Sequence, residues 1–187
     1  MKYRQMMMSF ALFGATLLCA GCGSSVDDSF TFGSGHVFCG NRTITVEAPF
    51  ALGVKGKVSE SAAKDAANVQ AEGHNRYMQI LVMGDAGQSD IRAAADKAIS
   101  NIKLSSAVSD LKTKEETVTI DGKEAIKLHF SFTDTERGKK TALTVDEYIF
   151  EKDGVLWRVM YQYLTGDETG KALSERVSGK IRFGARF

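Results

Sequence analysis

The chain has 187 residues, 25% of them charged, with 24 Lys and Arg set against 23 Asp and Glu for a formal charge of +1. So even a balance shows none of the net positive charge that nucleic-acid-binding domains carry, and no nucleic-acid partner is expected. Three cysteines and one proline in this length mark an ordinary globular composition and not a disulfide scaffold.

Lys2 and Arg4 form a basic start, and residues 6–20 follow without a charge. A membrane-spanning helix takes roughly 20 apolar residues, so this run fits a secretory signal peptide better. It leaves through Gly21, Cys22, Gly23, Ser24 and Ser25, which are small and polar. Ala20-Gly21-Cys22 resembles the lipobox of bacterial lipoproteins, with small residues before the cysteine that becomes the diacylated N-terminus. The match covers residues 17–22, with Cys19 at the position usually held by Leu and Leu17 and Leu18 displaced upstream. The resemblance implies cleavage before Cys22 and lipid, palmitate included, on that residue. The expected organisation is a signal peptide over residues 1–21, a lipidated cysteine and short tether over 22–29, and one globular domain over 30–187.

Removal of residues 1–21 leaves 166 residues, enough for one domain with a proper core. Losing Lys2 and Arg4 takes the formal charge from +1 to −1. A thioether on Cys22 would leave Cys39 as the sole thiol, so hydrophobic burial must hold the fold.

In chain order, residues 43–47 alternate as a half-buried strand, with Ile44 and Val46 on one side, and Pro49 closes it. The Ala-rich stretch 59–70 reads as a helix, and residues 77–83 as a buried strand. Ser89 is placed to cap a helix whose Ile91, Ala94, Ala95, Ala98, Ile99 and Ile102 form one apolar stripe. Strands at 117–120 and 123–132 flank Asp121-Gly122, a pair suited to a tight hairpin turn. Ile126, Leu128, Phe130 and Phe132 share one face there, opposite Lys127, His129 and Ser131. A polar loop is expected over 133–141, then a strand over 142–150, a turn at Asp153-Gly154 and a strand over 155–163. In that last strand Val155, Trp157, Val159, Tyr161 and Tyr163 point one way. A helix over 167–177 and a strand over 180–183 close the chain.

The predicted fold class is therefore α+β, an antiparallel sheet meander with helices packed on it. Ile120-Asp121-Gly122-Lys123-Glu124-Ala125 running into Leu128-His129-Phe130, residues 148–161 across Asp153-Gly154, and Val177-Ser178 before Ile181-Arg182-Phe183 resemble the Mog1/PsbP-like fold, an α/β/α sandwich, including its DcrB-related lipoproteins. The resemblance spans about residues 43–183, and the long stretch 51–74 between early elements is atypical of it. It implies an accessory or binding role without catalysis, and fold likeness alone transfers no function.

Candidate chemistry is sparse. His36 and Cys39 are the one close pair able to suggest a metal site or an activated thiol, but residues three apart on a strand face opposite ways. His74 and His129 are expected to face solvent, without the partner and cleft that a general base requires. Neither a Gly-x-Ser-x-Gly elbow, a phosphate loop nor an HExxH helix occurs. Arg137-Gly138-Lys139-Lys140 is a basic tip suited to solvent, lipid headgroups or an acidic partner. Trp157, Tyr161 and Tyr163 form an aromatic row explained by core packing, with a ligand groove as the rival reading. Asn41-Arg42-Thr43 matches a glycosylation sequon that has no evident use in a bacterial envelope.

The expected function is a lipid-anchored, non-catalytic binding or accessory module of the cell envelope, using no cofactor and no metal. It would meet the membrane through the lipid and an envelope protein through the stretches 51–74 and 133–141. It would lie on the outer membrane facing the periplasm in a diderm, or on the outer face of the cytoplasmic membrane in a monoderm. The alternatives are a small-molecule-binding lipoprotein and a thiol- or metal-dependent hydrolase using Cys39.

Overall fold

Three hairpin turns organise most of the molecule, a computed structural model that describes residues 25–54 and 67–184. Asp121-Gly122, Arg137-Gly138 and Asp153-Gly154 each place two consecutive residues at positive φ, the geometry of a two-residue turn that matches strand twist. They join β6 (Val108–Ile120), β7 (Lys123–Glu136), β8 (Lys139–Lys152) and β9 (Val155–Leu164) into one meander. β9 also pairs with β5 (Met78–Asp85), which continues through β4 (Asn68–His74) to β3 (Gly53–Val54). The result is a seven-stranded antiparallel sheet of order β3-β4-β5-β9-β8-β7-β6.

A second sheet is formed by β1 (Gly33–Cys39), β2 (Arg42–Ala48) and β10 (Ile181–Phe183), with β2 in the middle. Helices α1 (Val26–Ser29), α2 (Ile91–Lys103) and α3 (Glu168–Val177) complete the described elements.

Side-chain alternation splits the core in two. One face of the large sheet presents Ile80, Val82, Phe150, Trp157, Val159 and Tyr161 to the small sheet and to Leu173 and Val177 of α3. The opposite face carries Leu128, Phe130, Phe132, Val145, Ile149 and Leu156 against Ala94, Ala95, Ala98 and Ile102 of α2. The small alanine stripe lets α2 lie close, while Arg92 on its outer side reaches Glu115 of β6 at 2.5 and 2.8 Å. The α+β class, the meander and the packed helices are as the sequence indicated.

Several expectations are corrected. Residues 133–141 are no loop: they are the ends of β7 and β8 around Arg137-Gly138, because backbone pairing continues through the polar Thr135, Glu136, Lys139 and Lys140. The two ends of the stretch 51–74 belong to the large sheet as the edge strand β3 and its neighbour β4, and residues 55–66 lie outside the described residues. Of the helix expected over 59–70, residues 68–70 begin β4, where Val69 and Ala71 alternate inward; residues 59–66 lie outside the described residues. The cap of α2 is Asp90 and not Ser89, with Asp90 Oδ1 accepting from Ala93 N–H at 2.9 Å.

Residues 25–29, at the end of the stretch expected to be a tether, are ordered against the domain. Ser25 donates its N–H and hydroxyl to Asp28 at 3.2 and 3.0 Å, which closes α1 as a helical turn. Arg176 of α3 then holds Asp27 at 2.5 Å and Glu47 of β2 at 2.7 Å, fixing that turn to the domain. Cys22 lies outside the described residues.

Candidate binding face

The small sheet and α3 cover the half of one large-sheet face that lies over β4, β5 and β9. Over β6, β7 and β8 the same face stays apolar at the Asp121-Gly122 end, where Ile120, Ala125 and Phe150 are buried in that core, and turns polar toward the Arg137-Gly138 end. Cross-strand register brings Lys127 opposite Tyr148, His129 opposite Asp146 and Ser131 opposite Thr144, with Lys114 and Glu116 of β6 beside His129 and Lys127. Directly opposed side chains lie on one face at short separation, so the register itself assembles the group.

Asp146 is its centre. Its Oδ1 receives His129 Nδ1 at 3.0 Å and Lys127 Nζ at 3.3 Å, and its side chain is 11% exposed against 41% for His129. Burial works against the charge on Lys127, but Asp146 and Tyr148 outweigh it and hold the ammonium above its ordinary pKa. Lys127 also sits 5.5 Å from the Tyr148 ring centre, a cation–π distance. Glu116 is held below the usual carboxylate range by its hydrogen bond from Lys114. Tyr163 is pushed up, first by burial and then by Asp146 and Glu175, and Thr144 contacts Thr165 at 2.9 Å.

Chemically this is a set of held donors and acceptors. With Nδ1 turned to Asp146, His129 leaves Nε2 for another group. Histidine and aspartate are two members of an acyl-transfer triad, but among the described residues no hydroxyl hydrogen-bonds to His129, so the third is not assembled. The expectation that His129 lacks a partner is corrected. The signal lay in Asp146, which occupies the position that antiparallel pairing puts opposite it.

The other candidates fall apart in space. Cys39 is buried and donates to the Ala67 carbonyl at 3.4 Å, while His36 is on the exposed side of β1 with Thr45 at 3.1 Å. Burial pushes the Cys39 thiol up, the reverse of an activated nucleophile. His74 is exposed at the end of β4. Trp157 and Tyr161 are wholly buried and Tyr163 nearly so, which makes the aromatic row core and closes the proposed groove. Arg137, Gly138, Lys139 and Lys140 are all exposed. Among the described residues no group of three His, Cys, Asp or Glu is placed to hold a metal ion.

Sequence reasoning missed a buried ion pair on the α2 side of the sheet. Glu147 is fully buried, and its Oε1 accepts from Nε and Nη2 of Arg158 at 2.5 Å each. Glu147 Oε2 has no hydrogen-bond partner among the described residues.

Neither family models nor curated proteins match this chain. Among solved structures it is similar to LpqN, described as involved in cell envelope biogenesis of Mycobacterium tuberculosis, at 14% identity and a TM-score of 0.48, covering 88% of this chain and all of that one. It is also similar to a putative regulator of unknown function from Pseudomonas aeruginosa at 17% identity and 0.38, covering 66% of this chain and 78% of the other. A Bacteroides thetaiotaomicron structure matches at 12% and 0.40, with 77% of this chain aligned to 45% of that one. Nothing about ligand, partner or location passes from these proteins to this chain at such identities and scores.

Proposed function

We propose that the chain is a lipid-anchored, non-catalytic module of the cell envelope that binds a protein partner through the polar face of β6, β7 and β8. The observation that carries the binding half is the Lys127–His129–Asp146 cluster. It holds charged side chains in one partly exposed geometry, so little side-chain freedom remains to be lost on association. The anchoring half rests on Ala20-Gly21-Cys22 at the end of the apolar run. The Mog1/PsbP-like resemblance of the meander supports an accessory role and adds no residue to the site.

The uncovered face carries Lys112, Lys114 and Lys127 against Glu116 and Asp146, a small excess of cations that fits an acidic protein surface. A photo-crosslinking side chain at Ser131, in cells expressing the full chain, tests this. The expected result is one discrete adduct that is lost in Asp146→Ala and retained in Lys123→Ala at the far turn. Adducts unaffected by Asp146→Ala, or arising equally from Lys123, would reject the face.

A further inference from the structure

Four features meet at one end of the molecule. Chain entry is the first: Ser25 and α1 are held there by Arg176, and Phe30 packs edge-on against Tyr77 of the β4–β5 turn at 5.7 Å. Arg76 lies over that Tyr77 ring at 4.5 Å. The β7–β8 tip is the third. Leu143 pairs with Leu164, the last residue of β9, and the hairpin then runs five more residues to Gly138. At roughly 3.3 Å per residue the tip projects about 16 Å past the end of β9. It carries Arg137, Lys139 and Lys140, offset by Glu136 alone within the turn. The fourth is the exit of α2. Leu104 is 81% exposed beside Lys103, and the segment is tied to the hairpin by Thr135 N–H donating to the Ala107 carbonyl at 2.8 Å.

We propose that this end docks on an anionic lipid surface, with Leu104 inserted among the headgroups and Arg137, Lys139, Lys140 and Lys103 on lipid phosphates. The inference rests on the anchor at Cys22. Two residues, Gly23 and Ser24, separate Cys22 from the fixed Ser25, and the three Cα-to-Cα steps reach about 10 Å at full extension. A tether that short leaves the domain little choice of end, and the tip overhangs β9 by more than the tether is long. Three strand spacings, about 14 Å, separate β5 from β7, so a modest tilt brings entry point and tip to one plane. An exposed leucine beside Lys103, at the same end as the cationic tip, is the composition that lies at a membrane interface. Of the carboxylates at this end, Asp27 is held by Arg176 and Asp134 is buried, which leaves Asp28, Asp110 and Glu136 to set against the cations.

The test places a fluorophore on the lipidated chain at Ser106→Cys, next to Leu104, or at Lys123→Cys at the opposite end. Cys39 is buried and Cys22 carries the lipid, so the introduced thiol is the one labelled. Vesicles contain a headgroup nitroxide quencher in either phosphatidylglycerol–phosphatidylcholine or phosphatidylcholine alone. On anionic vesicles the Ser106 label should be quenched several-fold more than the Lys123 label. The excess should fall at least twofold on neutral vesicles and in Lys139→Glu/Lys140→Glu. Equal quenching at the two ends of a vesicle-bound chain, or an excess insensitive to lipid charge and to the double substitution, overturns the docked end and leaves the anchor standing. A processed chain that stays in solution overturns both.

Discussion

Removing Arg158 should expose how much of the core depends on one ion pair. Glu147 is wholly buried and Arg158 is 18% exposed, and Oε1 meets both Nε and Nη2 of Arg158 while Oε2 has no hydrogen-bond partner among the described residues. Leu128 and Ile149, both fully buried, lie around it. Arg158→Met therefore strands a carboxylate among apolar groups, at a cost of about 3–5 kcal/mol. For a domain of this size that is a fall in Tm of roughly 6–20 °C. Glu147→Leu/Arg158→Met replaces the pair with apolar groups and should lie within about 1–2 kcal/mol of wild type, giving a coupling energy of about 2–4 kcal/mol. Urea unfolding followed by Trp157 fluorescence measures all three. A single Arg158→Met variant within about 1 kcal/mol of wild type would refute the reasoning, because Glu147 would then have another means of satisfying its charge.

Trp157→Ala should destabilise by about 3–5 kcal/mol, read by far-UV dichroism, since the ring is fully buried between the two sheets. Gly84→Ala should cost about 1–3 kcal/mol in urea unfolding, because a Cβ there would stand 2.9 Å from the Trp157 ring and 3.0 Å from Cys39 Cβ. Asp134 is pushed above its ordinary pKa, first by burial and then by Glu136. The native state thus binds this proton more tightly than the unfolded chain, and stability falls as pH rises above about 4. Asp134→Asn should stabilise at pH 7, and calorimetry should show that gain vanishing toward pH 3. The Cys39 thiol should react with an aromatic disulfide reagent only at the rate of unfolding, and Cys39→Ser should keep the crosslink from Ser131.

Much of this fold was legible because period-two alternation is strong where one face is buried. Residues 155–163 announce both their strand and the inward side of Trp157, Val159 and Tyr161. The signal fails where pairing outruns burial: Thr135 to Lys140 are strand by hydrogen bonding alone, so polarity there mimics a loop. β4 was hidden by Ala and Gly, whose small side chains carry little pattern, and β10 was recognised without its separate partner β2. The candidate site was harder. His129 and Asp146 are 17 residues apart, and only the position of the Arg137-Gly138 turn makes them neighbours. Glu147 escaped notice, because no local sequence feature reveals that α2 covers that face or that Arg158 lies diagonally across on β9.

Intact mass of the mature protein, purified from membranes of cells expressing the full 187-residue chain, tests the anchored-module reading most directly. The expected mass is that of residues 22–187 plus diacylglyceryl, with or without a third acyl chain, and Cys22→Ala should lose both that mass and the membrane fraction. A mature chain that begins elsewhere and carries no lipid would contradict it.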